Sequence, residues 1–74
     1  MPVTFTLVED HSGLRESLAT LLNNVPGFRC LDRYANGEDA VSKMPLLRPD
    51  VALVDINLPG MSGIECVAKL KREL

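Results

Sequence analysis

The feature that most constrains this chain is the run Val51-Ala52-Leu53-Val54, entered through Pro49-Asp50 and left through Asp55-Ile56. It is apolar at every position, so it has no face built for water. Strands of that kind belong to parallel sheets covered by helices on both sides, whereas half-solvated antiparallel strands alternate. Parallel strands also need long crossover connections, usually helical. The run therefore predicts helices elsewhere in the chain.

The rest of the sequence supplies them. Val3 to Val8 is short, β-branched and aromatic, as strands are. After Glu9-Asp10-His11-Ser12-Gly13, Leu14, Leu18, Leu21 and Leu22 recur at helical spacing. Ser12 is a candidate cap for that helix, and His11 reads as an exposed residue at its start. Asn23-Asn24-Val25-Pro26-Gly27 stops it. Phe28 to Ala35 is a weaker strand. Its charges Arg29, Asp32 and Arg33 suit a sheet edge, where charge discourages stray pairing. Asn36-Gly37 turns the chain into a second helix. Glu38 and Asp39 favour its positive end, Ala40, Val41 and Met44 form its inner face, and Pro45 marks its last turn or its end. After the apolar strand, Leu58-Pro59-Gly60-Met61 is a loop. Ser62 and Glu65 form a capping box, followed by Ile64, Val67, Ala68 and Lys71 at helical spacing. The order β-α-β-α-β-α defines an α/β fold with right-handed crossovers.

Composition narrows the functional classes. At 74 residues the chain is one domain at most. A net charge of −2 argues against nucleic-acid binding by this chain, since phosphate backbones are gripped by excess Lys and Arg. Lys69, Lys71 and Arg72 read as a solvated helix face. No apolar run approaches the ~20 residues of a membrane span, and the N-terminus lacks a signal-peptide pattern. Cys30 and Cys66 fit neither metal nor redox spacing and read as small hydrophobes in a reducing cytoplasm.

The chemistry is expected at the carboxyl ends of the strands, where open parallel sheets bind ligands. The first strand ends in Glu9-Asp10 and the third in Asp55, with Asn57 two residues on. If these strands are neighbours, the three carboxylates meet and repel. A hard divalent cation such as Mg²⁺ answers that repulsion with oxygen ligands, and it can neutralise charge on an incoming phosphoryl group. A carboxylate can also be the nucleophile, giving an aspartyl phosphate. Taken singly, each residue has a plainer reading: Glu9 or Asp10 as a helix cap, Asp55 or Asn57 in a turn, Pro59 and Gly60 in a tight loop. The constellation favours the chemical one.

The stretches Leu7 to His11, Ala35 to Ala40 and above all Arg48 to Gly63 resemble the receiver domains of bacterial two-component response regulators. The resemblance covers essentially the whole chain, but about three of the family's five βα units. It implies a flavodoxin-like, doubly wound parallel sheet with strand order 2-1-3. Residues 1–74 would form a partial receiver with no output domain, and a phosphoacceptor rather than an ordinary enzyme. By resemblance, Asp55 is the phosphoacceptor, Asp10 ligates Mg²⁺ directly, Glu9 acts through metal-bound water, and Asn57 offers its backbone carbonyl to the metal. Pro59 and Gly63 shape the pocket loop. The resemblance further implies a sensor histidine kinase as the parent protein's partner, and the Glu-Asp-His and Pro-Gly-Met-Ser-Gly wording implies a transcription regulator as that parent.

The departures have consequences. The family's Ser or Thr after its fourth strand and Lys after its fifth have no counterpart here, and Tyr34 is not the family's aromatic switch residue. Phosphorylation and switching are therefore expected to be impaired. The third strand is expected to present an open edge, a template for another chain, and with it self-association, most simply as a two-fold dimer. A non-catalytic assembling fragment is the alternative reading. A phosphatase of the haloacid dehalogenase type is remote, because it wants a second Asp where this chain has Asn57.

Overall fold

A computed structural model describes residues 2–73. The elements are β1 Val3–Val8, α1 Ser12–Asn23, β2 Phe28–Tyr34, α2 Gly37–Leu47, β3 Val51–Val54 and α3 Gly63–Glu73. The strands form one parallel sheet in the order β2-β1-β3, as expected. β1 pairs with β2 from Val3 opposite Phe28 to Val8 opposite Tyr34, with a register shift after Phe5 that leaves Leu31 unmatched. That bulge has no signature in the sequence. β1 pairs with β3 from Phe5 opposite Val51 to Val8 opposite Val54.

Bonded on both sides, β1 buries Phe5, Thr6, Leu7 and Val8. Alternation sends these side chains to opposite faces of the sheet. On one face Val8 joins Tyr34, Ala40, Met44, Leu58, Cys66 and Leu70 in the main core, under α2 and α3. On the other, Phe5 and Leu22 of α1 line one apolar hollow.

Two helices turn out differently from their sequence pattern. In α1, Leu18 and Leu22 are half-buried and Ala19 is buried, but Leu21 is 66% exposed. In α3 the core takes Gly63, Cys66 and Leu70, while Ile64 is 70% exposed and Val67 and Ala68 are exposed too. That helix carries two apolar stripes, and contact with α2 decides which one is buried.

The caps also needed the structure. α1 begins at Ser12, so Ser12 is not its cap; His11 is, with Nδ1 accepting from Leu14 N at 3.1 Å. Ser12 had the better side chain for the role by propensity, but the chain turns into the helix one residue earlier. Asn36 caps α2, accepting Asp39 N at 2.8 Å, and Pro45 lies in the last turn. Glu65 N donates to Ser62 Oγ at 3.2 Å, which is the Ser half of the expected capping box. The return bond to the Glu65 carboxylate is not made among the described residues. Both cysteines are free.

Thr4 and Asp50 lock β3 to β1. Thr4 N and Oγ1 donate to Asp50 Oδ2 at 2.9 and 3.0 Å, which holds the Asp50 carboxyl below its ordinary range.

Tyr34 Oη is buried with no hydrogen-bond partner among the described residues. Burial, with Asp32 and Cys30 nearby, pushes its pKa up. An unmet buried hydroxyl costs about 1–3 kcal/mol. Tyr34→Phe is therefore expected to raise stability by about 1 kcal/mol, read as a higher urea midpoint with an unchanged slope. A lower midpoint would mean that the hydroxyl has a partner in solution.

Candidate functional site

The parallel register brings the acids together. Val8 lies opposite Val54, so the next residues on each strand, Glu9 and Asp55, leave the sheet side by side. Asp55 N donates to Val8 O at 3.0 Å, and Glu9 N donates to Tyr34 O at 3.0 Å. These bonds carry the ladder one step beyond the strands and fix where the acids start.

Glu9, Asp10 and Asp55 each offer a carboxylate oxygen, and these oxygens lie within 4.8 Å of one another. Glu9 is only 8% exposed, Asp55 is half-buried and Asp10 is exposed. Glu9 shows the strain of this grouping. A hydrogen bond from the His11 amide at 3.2 Å pulls its pKa down. Burial and the neighbouring Asp10 and Asp55 carboxylates outweigh that bond, and the pKa is raised overall. A raised carboxyl pKa stabilises the fold while the group is protonated, and that contribution is lost as pH rises through the folded value. At neutral pH the cluster thus holds negative charge at a cost, which a bound cation would offset. The donor set, all carboxylate oxygen on two adjacent strand ends, suits a hard divalent cation.

The other expected residues lie on the loop that follows. Asn57 N donates to Asp55 Oδ1 at 3.1 Å. Pro59 is exposed. Gly60 has φ +71°, and a Cβ there would lie 2.8 Å from Glu38 Oε2, so the loop passes close over the start of α2. Gly63 is not in the loop at all; it is the first residue of α3 and is buried. Its N–H donates to Ile56 O at 3.0 Å. A Cβ on Gly63 would overlap the Asp55 carbonyl and lie 2.7 Å from Asp55 C and Ile56 Cα. The helix start is thus packed against the backbone that carries Asp55.

A cavity of about 300 Å³ runs from Glu9 and Asp55 along Leu7, Val8, Leu18, Leu22, Leu53 and Val54. Two of the three acids thus share an open hollow with apolar side chains. Arg15 is a neighbour the sequence did not single out, with Nη1 donating to Glu9 O at 3.0 Å. Nothing local marks it, since its target is a main-chain atom six residues back.

Comparison with known proteins gives a consistent result. The family model described as the response regulator receiver domain matches residues 5–74. The nitrate/nitrite response regulator protein NarL of Escherichia coli (strain K12) is 35% identical over 72 residues, covering 97% of this chain and 33% of NarL. This chain thus spans about a third of that relative's length. The response regulator domain of Thermotoga maritima CheB superposes with a TM-score of 0.92 at 26% identity, over 99% of this chain and 55% of that one. A second solved structure, the CheX-CheY-BeF3-Mg+2 complex from Borrelia burgdorferi, matches with a TM-score of 0.82 at 30% identity, over 97% of this chain and 55% of that one. The shared architecture is flavodoxin-like, and this chain supplies three βα units of it in the order 2-1-3.

Proposed function

We propose a function from a plain premise: the chain belongs to the response regulator receiver domain family, the phosphoacceptor modules of two-component signalling. In our reading residues 1–74 are part of such a domain, and Asp55 is the phosphoacceptor. The observation that carries this reading is the meeting of Glu9, Asp10 and Asp55 at the ends of two adjacent parallel strands.

The chain's own groups divide the work. Asn57 N engages Asp55 Oδ1, while Oδ2 accepts no hydrogen bond among the described residues and is the free nucleophile. Oδ2 forms a bond to phosphorus as the bond from phosphorus to the donor's leaving group breaks, giving an acyl phosphate. Glu9, Asp10 and Asp55, with the Asn57 backbone carbonyl, are the groups to hold Mg²⁺. When bound, the ion neutralises charge on the phosphoryl oxygens. Pro59 lies on the loop beside it, and Gly63 starts the helix that follows. This is stoichiometric phosphoryl acceptance rather than turnover of a separate substrate. A sensor histidine kinase is the proposed donor, and a transcription regulator the proposed parent. No helix among the described residues is long and apolar enough to cross a membrane. The proposed setting is the cytoplasm, where the free thiols of Cys30 and Cys66 stay reduced.

Intact mass after incubation with Mg²⁺ and acetyl phosphate tests this reading. A phosphoryl adduct is expected on the parent and not on Asp55→Asn. An adduct that survives in the variant would overturn Asp55 as acceptor, and an unmodified parent would mean that the acids alone do not suffice for phosphoryl transfer and would favour the assembly reading below.

A second reading concerns assembly. Among the described residues β3 is bonded only to β1, and Val51, Ala52 and Leu53 are all exposed along it. Beside it Val3, Phe5, Leu22, Phe28, Val51 and Leu53 enclose an apolar hollow of about 260 Å³. Unpaired strand edges recruit other strands, and a two-fold axis is the commonest way two copies close. We propose that the 74-residue chain dimerises along β3. Light scattering at micromolar concentration should report a dimer that Leu53→Lys converts to monomer; a folded parent monomer would rule this out.

A further inference from the structure

Where the β1–β2 ladder ends, one polar group needs a new partner. Glu9 N still bonds across to Tyr34 O, but the Glu9 carbonyl is met instead by Arg15, whose Nη1 donates to it at 3.0 Å. Arg15 is the fourth residue of α1, and its side chain is only 17% exposed. Its Nε lies 3.4 Å from Glu16 Oε2. Glu16 is in turn gripped by Arg33, with Nε at 2.8 and 2.9 Å from the two carboxylate oxygens and Nη2 at 2.7 Å. A chain of charge thus runs from β2 through α1 to the main chain of the acid site.

Two details give this contact a purpose. The Glu9 carbonyl and the Asp10 amide belong to one rigid peptide plane. Holding the carbonyl holds that plane, and the plane sets how the Glu9 and Asp10 side chains diverge. Moreover, the guanidinium addresses a carbonyl and not a carboxylate: among the described residues no Arg or Lys pairs with Glu9, Asp10 or Asp55. Cationic support therefore reaches the site without occupying the oxygens that a metal ion needs.

We propose that Arg15 is a positioning residue that holds the Glu9–Asp10 peptide in the orientation the carboxylates need to bind a divalent cation. The inference rests on the reading of the acid cluster as a cation site. Residues that orient metal ligands from behind typically contribute 10–100-fold in affinity, and Arg15, acting through the main chain, is expected at the low end.

The test is a Mg²⁺ titration of the 74-residue chain, followed by amide chemical shifts, on the parent, Arg15→Met, Arg15→Lys and Glu16→Gln. Arg15→Met keeps the apolar stem and loses the donors. Its Mg²⁺ dissociation constant is expected to rise about tenfold, and its Asp10 amide nitrogen should shift in metal-free protein, where thermal stability stays near the parent's. Arg15→Lys should recover most of the affinity. Glu16→Gln, which only loosens the guanidinium, should weaken binding about two- to threefold, within the range of a charge-assisted contact. Parent-like affinity in Arg15→Met would overturn the inference and leave the cation site standing. If Arg15→Met does not fold, parent-like affinity in Glu16→Gln is the overturning result. A parent that binds no Mg²⁺ would remove the cation-site reading itself and the positioning role with it.

Discussion

Gly63→Ala is expected to strip this chain of most of its stability. The added Cβ would overlap the Asp55 carbonyl and sit 2.7 Å from Asp55 C and Ile56 Cα. All three are main-chain atoms, so no flexible side chain can give way. Either the start of α3 moves off the sheet, or the backbone under Asp55 moves with it. The first breaks the bond from Gly63 N to Ile56 O and draws Cys66 and Leu70 from the core. Forced overpacking costs about 1–3 kcal/mol and sometimes more, and a domain below ~70–80 residues rarely has more than about 3–5 kcal/mol to lose. Circular dichroism with a urea titration checks the expectation. Gly60→Ala is the informative comparison. Gly60 has φ +71°, but the nearest atom to its added Cβ is the end of the Glu38 side chain, which can swing away. That variant should lose only the about 1–2 kcal/mol of left-handed backbone strain and still fold. A Gly63→Ala protein as stable as Gly60→Ala would show that α3 does not press on the strand end as described.

The second large effect is expected at Met44. Met44 and Thr6 are both fully buried, and Thr6 Oγ1 donates to Met44 Sδ at 3.2 Å. Met44→Ala empties the centre of the core and should cost about 2–5 kcal/mol. Met44→Leu nearly conserves volume, and on packing alone it should cost less than about 1.5 kcal/mol. It also strands the Thr6 hydroxyl, which adds about 1–3 kcal/mol for an unmet buried donor. Thr6→Val with Met44→Leu removes both polar partners and should recover most of that second cost. A double-mutant cycle by denaturant melting measures the coupling. Strict additivity would mean the sulfur is not Thr6's partner in solution.

Much of the site could be read from residues alone. Glu9, Asp10 and Asp55 stood at the ends of two predicted strands, and the structure brings their oxygens within 4.8 Å. The family resemblance implies that Pro59 and Gly63 share one loop. Pro59 belongs there, but Gly63 is the first residue of α3, and what its lack of a side chain permits is contact with a strand several residues back. A glycine's local signal is conformational freedom; it carries no sign of what packs over it. Arg15 was missed for a similar reason, since a side chain that completes a main-chain hydrogen bond leaves no periodicity.

The sequence by itself determined the kinds of element and their order. The apolar run at Val51 to Val54, the Leu spacing after Ser12 and the turn residues between are local signals, and local backbone preference and hydrophobic period are enough to read them. The placement of acids at strand ends followed from that order. Tertiary structure alone decided which stripe of α3 is buried, that His11 rather than Ser12 caps α1, that Leu31 bulges from β2, and that Arg15 holds the Glu9 carbonyl. Each of these depends on what a distant segment presents at close range. Period and propensity describe a segment's own preferences, and the partner it meets is settled only when the chain packs.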